Sequence, residues 1–227
     1  MAREFPDVTW ALENTLTKYV RKSERYINIT TPMPCSKCNS GWMSVLEKKS
    51  KPILIPLMNG DPTILPIRDQ IIIAIWLFKT AAMYDLHAEK QAPRPRYFED
   101  HEYPLLMSSL AFYPFYQFYT GIYKGSQPGL IREDHLGVSI VQADSLQPLS
   151  DPVRAYVFTL AIKHLVLQIF CAKVVDDLPF RMRPFKRFVT QIGTSDPVRW
   201  PPERPFGDAL IEKFAKRWTE GLPPPLS

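Results

Sequence analysis

One stretch leaves little choice about its surroundings. "IRDQIIIAIWLFKTAAMYDLH" (67–87) runs for more than twenty residues without glycine or proline. It is apolar nearly all round, the pattern of a helix enclosed by protein on most sides. Its continuous apolar run, Ile71 to Phe78, is broken by Lys79 and Thr80 and is too short to cross a bilayer. A helix of this kind predicts a core built around it. Three other segments read as strands that would enclose it. "LAFYPFYQFYTGIYKG" (110–125) is dominated by aromatics, and "GVSIVQADSL" (137–146) alternates. "AYVFTLAIKHLVLQIFCAKVV" (155–175) is rich in β-branched and aromatic residues, which favours a long strand or a bent pair, with a buried helix as the other reading. The expected class is α+β, with antiparallel strands.

The chain has 227 residues, enough to bury a sizeable core without disulfides or metal. Its 23 prolines against 9 glycines point to fixed extended connections with few tight glycine turns. A short helix is expected from Asp7 onward, with Phe5, Trp10, Leu12, Leu16 and Val20 on one face. "RYINITTPMP" (25–34) reads as a strand ended by its prolines. "GWMSVLEKKSKPIL" then reads as a helix that Pro52 stops, and "IPLMNGDPTILP" (55–66) as a connector turning at Asn59–Pro62. "APRPRYFEDHEYP" (92–104) reads as a charged linker. Leu210, Phe214 and Trp218, at i, i+4 and i+8, mark an amphipathic C-terminal helix.

The segment that reads as a site is "CSKCNSGWMSVLEKKSKP" (35–52). Cys35 and Cys38 have the spacing of a zinc knuckle, in which two thiolates grip one edge of a tetrahedral ion. A full site needs two more ligands. The third cysteine, Cys171, lies in an apolar segment and reads as a core thiol. None of His87, His101, His135 and His164 is paired at metal-ligand spacing.

"PCSKCNSGWMSVLEKKSKPIL" resembles the second knuckle of a branch of HNH endonuclease-like bacterial proteins, whose motif is approximately CxxCNxGWMxxLE. The resemblance extends to the helix bearing Trp76 and Lys79, and to "DPVRWPPERPFGDALIEKFAKRW" as the Trp-Pro-Pro tail and final helix of that branch. It implies a ββα unit in which one divalent metal and a histidine base hydrolyse phosphodiesters. Cys35 and Cys38 match the second zinc pair, Asn39 matches the residue that opens the helix, and Asn28 matches a loop asparagine by position. The sequence departs from the pattern upstream: no cysteine and no histidine precedes Cys35. The general base and the first zinc pair of the family are therefore missing from the expected place. The resulting expectation is a small degenerate HNH-like segment (1–64) packed on a larger α+β body (65–227), with zinc under-liganded at Cys35, Cys38 and Asn39. Magnesium would be needed only by an active nuclease.

A net charge of +5 permits a nucleic-acid partner without requiring one. The densest basic patches supply Lys37, Lys48, Lys49 and Lys51 in the first case, and Arg181, Arg183, Lys186 and Arg187 in the second. These side chains are candidates for phosphate contacts, weighed against an ordinary solvated face. "FYPFYQFY" (112–119) reads as sheet packing in preference to a base-stacking platform, and Asp100-His101-Glu102 as a solvated loop. His164 reads as a satisfied core histidine. There is no G-x-S-x-G and no phosphate-cradling glycine loop. A small-molecule substrate and a membrane partner are not expected. An odd cysteine count and a polar N-terminus favour a reducing, cytoplasmic setting.

The function expected is that of a catalytically inactive or truncated HNH-like protein that binds nucleic acid or another protein. One alternative is an active nuclease whose base is displaced, for example to His101 or a partner chain. The other is a phage- or defence-associated protein-interaction factor. Because Cys35 and Cys38 are the only adjacent thiols, the purified protein should hold well under one zinc per chain by elemental analysis. One tightly held zinc, lost on Cys35→Ser, would contradict this.

Overall fold

A computed structural model describes residues 12–14, 39–91, 97–99, 102, 116–126, 129–138, 153–172 and 185–216. It is α+β, as expected. A wide helical turn (Asn39–Met43) opens into α1 (Ser44–Asn59), followed by β2 (Thr63–Leu65) and α2 (Ile67–Gln91). A short β1 (Leu12–Asn14) precedes them. After them come β3 (Tyr116–Ile122), β4 (Gly129–Val138), β5 (Val153–Ile162), β6 (Leu165–Ala172), β7 (Val189–Ile192), β8 (Val198–Trp200) and α3 (Asp208–Lys216). The main sheet has the order β1-β4-β5-β6-β3-β7, and β2 pairs with β8 in a separate ribbon. All of these pairings are antiparallel except β1 with β4, which is parallel.

The 155–175 segment forms the bent pair. β5 and β6 pair from Ala155↔Ala172 to Ile162↔Leu165 around a turn at Lys163 and His164, with Lys163 left-handed at φ 51°. Side chains alternate across a strand, and here both sets are buried. Tyr156, Phe158, Leu160 and Ile162 join the core on the α1–α2 face, together with Leu167, Ile169 and Cys171. Ala161 and Val166 join Phe206, Ile211 and Phe214 on the α3 face. A strand pair buried on both faces is apolar almost throughout, which is why its sequence was ambiguous with a buried helix.

Several expectations need correction. Pro52 does not stop α1: the helix runs on through Pro52 and Pro56 and ends at Gly60, left-handed at φ 87°, whose N–H donates to Leu57 O. Each proline removes one helical hydrogen bond, and Pro52 itself is exposed. Burial of Leu46, Leu54, Leu57 and Met58 on the opposite face holds the helix in place. The 55–66 connector accordingly shrinks to the turn at Asn59–Pro62 followed by β2. A helix from Asp7 is excluded at Leu12–Asn14, where the backbone pairs with Ile131–Glu133. The strand expected at 137–146 starts earlier: β4 takes in the charged Arg132–His135, and within 137–146 only Gly137 and Val138 are described. The 92–104 linker includes two core residues, Tyr97 and Phe98, each 1% exposed. Their N–H groups donate to buried Asp85 Oδ2 at 2.8 and 3.1 Å. His164 is an exposed turn residue, not a core one. Its Nδ1 lies 2.8 Å from Tyr123 O, its N–H donates to Met58 O at 3.2 Å, and its O accepts from Tyr123 N–H at 2.8 Å.

Gln70, fully buried, sets the start of α2. Its amide nitrogen donates to Leu65 O (2.9 Å) and Asp196 O (2.7 Å), and its oxygen accepts from Gly193 N–H (3.1 Å). One side chain thus ties α2 to β2 and to the β7–β8 turn. On the α3 face, β3 passes so close to its neighbours that only glycine fits at position 121. A Cβ there would stand 2.8 Å from Phe188 O and 3.0 Å from Phe206 Cε2. Gly121→Ala should therefore destabilise the protein by about 1–3 kcal/mol through overpacking. Urea unfolding should show a lower midpoint with an unchanged slope, and a midpoint equal to that of the parent would refute the packing account.

Candidate functional site

The described part of the 35–52 motif builds an interface between α1 and α2. Gly41 (φ −88°, ψ −115°) breaks the helical path between Asn39 and α1. Beyond it Met43 and Leu46 are buried, and Trp42 is half-buried against the same core. Leu46 thus packs into the core beside α2, whereas Trp42 is only half-buried. Its indole N–H is covered yet finds no acceptor among the described residues.

Glu47 is the polar member of this interface. Its Oε1 accepts from Trp76 Nε1 at 3.1 Å and from Lys79 Nζ in a short ion pair, both on α2. Lys79 also lies 5.7 Å from the Trp76 ring centroid, within cation–π range. The Lys79 side chain is 13% exposed and that of Glu47 is 40% exposed, so the pair is shielded on the lysine side. The glutamate of the motif thus serves as a clasp.

Beside the clasp the two helices leave an open groove of about 490 Å³. One wall, on the α1 side, is Trp42, from the turn before α1, with Val45, Leu46 and Lys49 of α1, spaced i, i+3, i+4 and i+7. Its α2 wall is Ile67, Arg68, Ile71, Ile72 and Ile75. Val45 is 49% exposed and Ile67 43%. Sequence reasoning missed the α2 wall because it took the helix to be covered all round. The sequence carried no signal for it, because a helix that is apolar nearly all round reads as enclosed.

The other sequence candidates are scattered. Asn39 is exposed on the turn before α1. Lys48 and Lys49 are exposed and Lys51 is half-buried on α1. Lys186 and Arg187 are exposed on the other side of the sheet, since Phe185 and Phe188 beside them pack on the α3-side core. Arg187 Nε pairs with Glu203 Oε2 at 2.7 Å. The described members of the two basic segments therefore do not share a surface. Of the "FYPFYQFY" residues, Phe118 and Tyr119 are buried and Tyr116 half-buried, in keeping with sheet packing. Cys35, Lys37, Cys38, Arg181, Arg183, His101 and the side chains of His87 and His135 lie outside the described residues. Among the described residues, no group of three or more His, Cys, Asp or Glu is arranged to hold a metal, and no helix is long and apolar enough to cross a membrane.

A second polar cluster lies under the middle and C-terminal parts of α2. Tyr156 Oη sits 3.0 Å from Glu133 Oε2 and 3.1 Å from Ala81 O. The Tyr156 ring stacks on Tyr97, with centroids 5.3 Å apart. Burial, assisted by the Glu133 charge, pushes the Tyr84 hydroxyl well above its ordinary value of 10.0, so it stays protonated. These groups are enclosed, and they tie β4, β5 and the Tyr97–Phe98 segment to α2.

No family model, curated protein or solved structure matches the chain.

The clasp is testable by itself. Removing Glu47 leaves the shielded Lys79 and the Trp76 N–H without their common acceptor. Glu47→Ala should cost about 1–2 kcal/mol, the lower part of the range for charged hydrogen bonds because Glu47 is partly solvated. A double-mutant cycle with Lys79→Met should recover a coupling of about 1 kcal/mol. Strict additivity would mean that the two side chains do not interact in solution.

Proposed function

We propose that this chain is a non-catalytic, HNH-like binding protein, and that the macromolecule it holds is another protein. The observation that supports this most directly is the open groove at the start of the motif helix, with Trp42 and Leu46 in its wall. In this reading the residues that give the chain its HNH-like signature have become structural. Glu47 clasps α2, Leu46 packs the core, and Trp42 offers a partly exposed ring beside exposed Val45 and Ile67. An apolar floor suits a protein partner better than a phosphate backbone, which is held by cations and polar donors. The separation of Lys48, Lys49 and Lys51 from Lys186 and Arg187 across the sheet favours the same choice, because a nucleic-acid surface gathers its cations in one basic patch or stripe.

Two measurements test this. With magnesium or manganese, purified protein should leave single- and double-stranded DNA uncut. Cleavage that disappears on Asn39→Ala would restore the nuclease alternative. Oligonucleotide affinity should be weak, with a shallow dependence on salt. A steep linear fall of log affinity with log salt, reporting several phosphate contacts, would make nucleic acid the partner instead.

A further inference from the structure

The groove also carries information about the chemistry of its occupant. We infer that it takes an acidic, amphipathic helix from a partner protein; this rests on the reading of the chain as a protein-binding module. The first ground is shape. The α1 wall repeats at i, i+3, i+4 and i+7, and the α2 residues Ile67, Ile71 and Ile75 repeat every fourth position. Two helices with such walls form the seat that a third helix fills with its own i, i+4, i+7 apolar residues. The second ground is charge. Among the described residues, the charged ones in the groove lining are Lys49 and Arg68, one on each wall, and both are exposed. The neighbouring carboxylate of Glu47 is engaged by Lys79 and Trp76 and does not line the groove. An occupant with an apolar stripe flanked by Asp or Glu would therefore meet a cation on each side. A second copy of this chain would bring Lys49 and Arg68 against their own kind, which disfavours a symmetric dimer through this face.

The test uses the full chain and three synthetic peptides of about 15 residues, long enough for four turns of helix. All share one apolar stripe; the flanks are glutamate in the first and lysine in the second, and the third is a scramble of the first. Binding is read by fluorescence anisotropy. The acidic peptide should bind at least tenfold more tightly than the lysine peptide or the scramble, and its affinity should fall with salt. Ile67→Lys, an exposed position, should weaken it at least tenfold. Arg68→Glu should shrink or invert the preference between acidic and basic peptides while leaving thermal stability unchanged.

Equal binding of acidic and basic peptides, both lost on Ile67→Lys, overturns the acidic partner but leaves the groove as a protein-binding site. Binding indifferent to Ile67→Lys and Arg68→Glu removes the groove from the account. A dimer in sedimentation that Ile67→Lys dissociates names a second copy as the occupant. Absence of binding by every peptide, with Ile67→Lys lowering the melting temperature by several degrees, assigns the groove to a segment of the chain itself. Either result overturns the proposal.

Discussion

The β5–β6 hairpin is buried on both faces, and the rest of the fold is arranged to keep it so. Tyr156, Phe158, Leu167 and Ile169 on one face, and Val157, Thr159, Val166 and Gln168 on the other, are all at most 1% exposed. A strand pair in that position needs two separate layers of cover. α1 and α2 supply one, and α3 with Phe185, Phe188 and Phe206 supplies part of the other. Thr159 and Gln168 show how polarity survives there: Gln168 Nε2 donates to Thr159 Oγ1 at 2.7 Å, so two buried polar groups answer each other across the register. Each layer is then fixed by a few polar ties, Gln70 and Glu47 on the helical side and Asp208 on the other. Asp208 accepts from the Tyr123 hydroxyl and from the Ser126 hydroxyl (2.8 Å).

The consequence for the surface is uneven cover on α2. Ile73, Ala74, Leu77, Phe78 and Ala81 meet the sheet and are buried. At the first two turns of the same helix Ile67 is exposed and Ile71 half-buried, and α1 faces them with a wall that is itself part apolar and part exposed. Apolar side chains are thus left on a surface at helical spacing, between Lys49 and Arg68. The motif that first drew attention in the sequence and the groove found in the structure are thus two views of one place, joined through Trp42, Leu46 and Glu47.

Much of this fold was legible in the sequence because its strongest signals are periodic or absolute. The α2 pattern, the amphipathic spacing of Leu210 and Phe214, and the β-branched wealth of 155–175 each translate directly into an element. The failures have physical causes. Pro52 and Pro56 are ordinarily helix stops, and they are tolerated here because burial on the other face of α1 outweighs two lost hydrogen bonds. Leu12–Asn14 was given a helical reading from spacing alone, but strand pairing with β4 is a long-range interaction that local spacing does not encode. Tyr97 and Phe98 hid inside a charged, proline-rich stretch; what ties them to the core is Asp85 near the end of α2, whose carboxylate receives their N–H groups, and ring packing on Phe78 and Tyr156. His164 lay in an apolar run and was read as core, whereas a two-residue turn needed a polar residue at that point. For the site, the chemistry of Glu47 was visible only as a letter in a motif; its partners on α2 are some thirty residues away.

The joint at His164 has a mechanical meaning for α1. The helix is anchored at its C-terminal end, where Met58 O accepts from His164 N–H and the His164 ring packs 3.1 Å from the place a Gly60 Cβ would occupy. At its other end it is held to α2 by the Glu47 clasp, a contact made by flexible side chains. With 16 residues it is a rod about 24 Å long. A rod pinned at one end turns small angles into large displacements: a pivot of about 5° at Gly60 moves Ser44 by about 2 Å for that length. Trp42 and Val45 sit at the end away from this anchor, so a pivot of that size would change the width of the groove at its mouth, and the buried Leu46 together with the Glu47 clasp is what opposes it.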